Sequence, residues 1–81
     1  MKKRIRASEI GPGMFTEERY VLLSVNGNSY SLVVDERSLK GQDLEVQVVS
    51  LDEHDAWVEL PRDTFNAGSR IKVPRSSLLP A

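Results

Sequence analysis

The sequence predicts an all-β domain: a small barrel of five to six short antiparallel strands with one short helical turn. Three observations carry that expectation. An Asn26-Gly27 pair sits between flanks that alternate apolar and polar residues, and a second pair of alternating segments runs over residues 44–48 and 56–60. No stretch shows the 3.6-residue apolar spacing of a long helix. Short strands without helices bury their apolar faces as a barrel or a sandwich, and 81 residues leave room for one domain, 1–81. Residues 1–2 and 79–81 are expected to fray.

The first strand falls at Arg4-Ile5-Arg6-Ala7, where charged and apolar residues alternate, before a break at Gly11-Pro12-Gly13. In the hairpin that follows, Asn26 and Gly27 suit the two positive-φ positions of a type I′ turn, whose twist matches that of paired strands. A two-residue loop fixes the register. It sets Val25 opposite Asn28, Leu23 opposite Tyr30, Val21 opposite Leu32 and Arg19 opposite Val34. Val21, Leu23, Val25, Tyr30, Leu32 and Val34 then share one face, the same face that the hydrophobic pattern selects.

Between the hairpins, Asp35-Glu36-Arg37-Ser38-Leu39-Lys40-Gly41 offers an acidic cap and a closing glycine, enough for one helical turn. In the second hairpin Leu44, Val46 and Val48 alternate with Glu45 and Gln47, and Ala56, Val58 and Leu60 alternate with Trp57 and Glu59. An odd-length loop puts Val48 opposite Val58 and Val46 opposite Leu60. An even one would set Val48 against Glu59, so the odd spacing is favoured. Residues 62–68 lack period-2 order and read as a loop pinned by Phe65, which is assigned to the core with Tyr30. Ile71 and Val73 face one way and Arg70 and Lys72 the other, until Pro74 removes a donor and ends the ladder. Ser76-Ser77-Leu78 then suits a 3₁₀ turn.

Residues 35–81 resemble the later part of a Src homology 3 domain. The resemblance is carried by Asp35-Glu36-Arg37-Ser38-Leu39 before Lys40-Gly41, a strand at residues 44–49, an acidic loop ending at Asp55, then Trp57, Gly68, and Val73-Pro74-Arg75-Ser76-Ser77-Leu78. The corresponding family features are an acidic diverging turn, a strand, an acidic loop running into a tryptophan, a glycine, and a final proline before a 3₁₀ turn. The resemblance implies an SH3-like barrel. Of the aromatic groove that binds proline-rich peptides in that family, only Trp57 and Pro74 carry over. Val58 stands where a second tryptophan is common and Leu78 where a tyrosine is expected, and the first half of the chain has no tyrosine-rich motif.

Composition narrows the function classes. There is no cysteine, which removes disulfides, thiolate metal sites and cysteine nucleophiles together and fits a reducing cytoplasm. Wholly aliphatic runs reach only three residues, as in Val21-Leu22-Leu23, far short of a membrane span or a signal peptide, so the chain is expected to be cytoplasmic and unprocessed with no membrane partner. Net charge is −1 but segregated: residues 1–6 hold four bases and no acid, residues 7–61 three bases and eleven acids, and residues 62–81 four bases and one acid. Such asymmetry bears on partners more than the near-zero total does.

Neither catalytic nor metal-ligating residues stand out, and no cofactor is expected. Asp52-Glu53-His54-Asp55 places the only histidine among three carboxylates, but four consecutive loop residues point apart, and the stretch reads as a solvated loop. Trp57 alternates against Val58 and faces away from the apolar set. It is either exposed beside Tyr20 and Leu22 of the first hairpin or plugs one open end of the barrel.

The leading expectation is a non-enzymatic protein-interaction or accessory module contacting another protein through Trp57, Tyr20, Glu53 and Asp55. The alternative is an RNA- or single-stranded-DNA-binding barrel. If residues 70–73 lie beside the first strand, Arg4, Arg6, Arg70 and Lys72 form one basic stripe that attracts phosphates. The oligomeric state is left open.

Overall fold

The computed structural model describes residues 1–81 and is all-β. Its strands are β1 (Lys2–Arg6), β2 (Glu9–Pro12), β3 (Glu18–Val25), β4 (Asn28–Asp35), β5 (Leu39–Lys40), β6 (Asp43–Leu51), β7 (Asp55–Thr64), β8 (Gly68–Pro74) and β9 (Leu79–Pro80), with 3₁₀ turns at Glu36–Ser38 and Arg75–Ser77. There are nine strands rather than five or six: the expected set is present, and β2, β5 and β9 are added. One antiparallel sheet runs β8-β7-β6-β1-β9 with β5 also on β6, and the other runs β2-β3-β4.

The first hairpin has the register that its turn and its alternation both demand. Val25 pairs with Asn28, Leu23 with Tyr30, Val21 with Leu32 and Arg19 with Val34. Asn26 (φ 51°) and Gly27 (φ 80°) are both left-handed, the requirement of a type I′ turn. The break after the first strand comes earlier than Gly11. Ala7 N–H donates to the Gln42 carbonyl in one sheet and Ser8 N–H to the Leu22 carbonyl in the other, so the chain changes sheets between these two residues. It continues as β2 through Gly11-Pro12. Pro12 is tolerated because β2 is an edge strand that needs no donor there.

In the second hairpin Val48 does face Val58, but the odd spacing does not come from the loop. Leu51 pairs with Ala56 across a four-residue connection, Ser50 pairs with Trp57, and the register shifts between Val48 and Ser50. Val49 is the extra residue of a bulge, which restores the apolar face that an even connection would have lost. Asp35 caps the first 3₁₀ turn by accepting from Arg37 N–H, and Leu39 ends it. Gly41 (φ 61°) therefore serves the β5–β6 turn instead of closing the helical one.

Phe65 is not core. β7 extends to Thr64, and Phe65 lies in the turn that follows, 71% exposed. Thr64 does the pinning: it is buried, its Oγ1 donates to the Gly68 carbonyl at 2.6 Å and accepts from Ala67 N–H at 2.8 Å. Strand alternation turns the next side chain out. Both ends of the chain lie against the larger sheet. Met1 carbonyl accepts from Val48 N–H, and Leu79 and Pro80 pair with Arg4 and Lys3.

Fourteen apolar side chains from both sheets form one buried core, with Tyr30 and Val48 packed partly against it. Besides the chain crossing at Ala7–Ser8, the sheets are joined where Phe65 N–H donates to the Ser31 carbonyl at 2.8 Å.

Candidate contact surface

Along β7 the side chains of Ala56, Val58 and Leu60 point inward, so Asp55, Trp57 and Glu59 point out. Trp57 is 43% exposed and lies outside the buried cluster, which resolves its two readings in favour of the surface. It sits between Ser50 on β6 and Lys72 on β8, with the exposed bulge residue Val49 next to Ser50. The bulge thus adds a second apolar side chain to the neighbourhood of the indole.

Tyr20 does not join this patch. It pairs with Gly11 and Val33 in the other sheet, and its hydroxyl is hydrogen-bonded to Ser31 Oγ at 3.0 Å. Ser31 adjoins Phe65, beyond the opposite end of β7 from Trp57. The sequence pattern correctly marks both aromatics as outward-facing, but they belong to the outer faces of different sheets.

The acidic loop does adjoin Trp57. Asp52 Oδ1 accepts from His54 N–H at 3.1 Å and from Asp55 N–H at 2.7 Å, and Asp52 N–H donates to the Asp55 carbonyl. The Asp55 and His54 amides hold the Asp52 carboxyl below its usual range. Arg75 fastens the loop from outside: its N–H donates to the His54 carbonyl and its Nη1 to the Asp52 carbonyl. Glu53 and His54 are left exposed at the tip, while half-buried Asp55 shares the outer face with Trp57. Nowhere do three His, Cys, Asp or Glu side chains converge as a metal would require.

The four bases of the alternative reading are not one stripe. β6 and β7 lie between β1 and β8, because β1 is flanked by β6 on one side and β9 on the other. Arg4 Nη1 and Arg6 Nε donate to the two carboxylate oxygens of Asp43 at 2.8 and 2.6 Å, and Arg4 Nε donates to the Pro80 carbonyl. Arg70 Nε donates to Glu59 Oε1 at 2.9 Å, and Ser69 Oγ donates to Oε2 of the same carboxylate. Glu45, Gln47 and Glu59 occupy the pairing positions between the two sets of bases. Lys72 alone of the four forms no ion pair.

Asp43 is the important residue that sequence reasoning missed. It is 5% exposed and clamps β1 to β6. Its only sequence signal is an acid directly before an apolar strand, and that becomes informative once the pairing of β1 with β6 is known.

Two hollows mark the surface. One of about 290 Å³ is bordered by Lys2, Ser38, Glu45, Gln47, Glu59 and Pro61. The other, about 240 Å³, is lined by Met1, Val48, Leu51 and Leu78 together with Lys3 and Arg75. Both fall at or below the roughly 300–1,000 Å³ of small-molecule pockets. In the first, hydrogen bonds from Ser69 and Arg70 hold the Glu59 carboxyl below its usual range, the opposite of what a general acid needs. No helix is long and apolar enough to cross a membrane.

Comparison with protein-family models, with curated proteins and with solved structures finds no match for this chain. Fold and surface together define a small all-β domain with an exposed tryptophan beside the last strand of its larger sheet.

Proposed function

We propose that this chain is a non-enzymatic protein-interaction module, a small SH3-like barrel of the cytoplasm, whose contact surface is the outer face of β7 and β8 around Trp57. The observation that carries the reading is the place of the only tryptophan, outside the core and flanked by Val49, Asp55 and the unpaired Lys72. Burying an indole yields more contact energy than burying almost any other side chain, and tryptophan is enriched among residues that dominate protein interfaces. Leaving one 43% exposed on a sheet face forgoes part of that gain in the free domain and keeps it for a partner. The acidic loop extends the surface: Asp55 borders it and Glu53 stands at its tip. Tyr20 and the bases of β1 take no part.

Selection of binders from a random-peptide display library tests this. Peptides selected on the wild-type domain are expected to bind Trp57→Ala about tenfold more weakly or worse, and to bind Phe65→Ala, which removes a more exposed aromatic elsewhere, with unchanged affinity. Binders indifferent to Trp57, or equally weakened by both substitutions, would contradict the assignment.

A further inference from the structure

β8 is the last strand of its sheet, and β7 is the one element that lies along it. Which of its backbone groups are open follows from the alternation of an antiparallel ladder. Arg75 N–H donates to the His54 carbonyl, so bonding across these strands falls at residues 54 and 75 and then every second pair: Ala56 with Val73, Val58 with Ile71. The Asp55 carbonyl accepts from Asp52, on the β6 side, as this parity requires. Trp57–Lys72 and Glu59–Arg70 are then the pairs whose β8 members turn their N–H and C=O groups away from β7. The open edge consists of the amides and carbonyls of Arg70 and Lys72.

Ile71 and Val73 are buried, so the two residues with open backbone groups are also the two with outward side chains, and both are cations. Arg70 shares its guanidinium with Glu59 and retains further donors, while Lys72 has no ion-pair partner. Pro74, which lacks an N–H, closes one end of the edge, and Gly68 (φ 71°) turns away at the other. A second copy of β8 is a poor occupant. Any antiparallel self-pairing that uses both open residues sets Arg70 or Lys72 directly against another cation, and like charges in that position repel.

We propose that the β8 edge accepts an extended peptide strand carrying acidic side chains at alternate positions, opposite Arg70 and Lys72. This rests on the protein-interaction reading above and specifies the partner. Backbone hydrogen bonds hold the added strand, and charge selects it. The added strand lies one strand away from Trp57, so it continues the same contact face.

The probe is the hexapeptide acetyl-Thr-Glu-Val-Glu-Val-Thr-amide, titrated into the isotope-labelled domain with amide exchange as the readout. Its two glutamates are the residues whose backbone faces β8. Exchange at the Arg70 and Lys72 amides is expected to slow on saturation. N-methylation of both glutamates is expected to abolish binding, whereas N-methylation of both valines leaves it intact. Lysine in place of glutamate, or Lys72→Glu in the domain, is expected to weaken binding severalfold.

Unchanged exchange at Arg70 and Lys72, or tolerance of N-methyl glutamate, would overturn the edge assignment. So would concentration-dependent protection of those amides in the peptide-free domain, which would show a second copy instead. Trp57-dependent display peptides that leave these amides unprotected would overturn the edge while the contact surface stands. Peptide protection of the edge without any Trp57-dependent binder would support the edge and remove the contact surface around the indole.

Discussion

Leu44→Ala is expected to destabilise the domain by about 3–5 kcal/mol, the upper part of the range for a buried leucine that cannot be replaced by collapse of its surroundings. Leu44 is fully buried and lies on β6 with Ile5 of β1 on one side and Leu39 of β5 on the other. Backbone ladders on both flanks keep the neighbours from closing over the void. A chain of 81 residues has on the order of 4–12 kcal/mol of total stability, so the loss is a large share of it. At roughly 4–8 °C per kcal/mol for a domain of this size, the melting temperature falls by about 12 °C or more, measurable by calorimetry. A loss below about 1 kcal/mol would mean that β6 is not the centre of the larger sheet.

Asp43→Asn is expected to cost about 2 kcal/mol while changing almost no volume. The substitution removes the charge that two guanidiniums share, and charge-assisted hydrogen bonds are worth about 1.5–3 kcal/mol. The effect stays near the lower end because Arg6 is well exposed and is re-solvated when released. Arg4 is more enclosed and also holds the Pro80 carbonyl, so freeing it loosens β9 first. Amide exchange should rise at Leu79 before it rises in β3 and β4. Uniform loss across both sheets would show that the cluster is a general stabiliser with no particular hold on β9.

The fold was legible where its determinants are local. Asn26-Gly27 and its flanks specify turn type, register and buried face together, and all three agree with the structure. The second hairpin was half legible. Its apolar pairing followed from period-2 burial, but the bulge at Val49 did not, because a bulge is one extra residue in a run that otherwise reads as an uninterrupted strand. Phe65 was misplaced by its size: the largest apolar side chain in a stretch without alternation looks like an anchor, yet Thr64 fills the inward position and satisfies its hydroxyl on the turn.

Long-range neighbours were the least legible. Whether β1 lies beside β6 or β8 depends on how the sheets close, and adjacent sequence carries no record of it. The basic stripe therefore dissolved, and Asp43 emerged as the partner of two of its members. Among the residues of the proposed surface, the outward position of Trp57 follows from alternation on a single strand, and Asp55, read as part of the acidic loop, stands on that same strand and face. Tyr20 was misassigned because two outward faces on different sheets diverge, however alike their patterns.

If Trp57 serves a partner, as proposed, and is dispensable to the core, Trp57→Ala leaves the melting temperature of the domain nearly unchanged. The predicted loss is no more than about 1 kcal/mol, the span of strand propensity at an exposed position. A loss near that of Leu44→Ala, about 3 kcal/mol or more, would show that the indole holds the sheets together and would contradict the account.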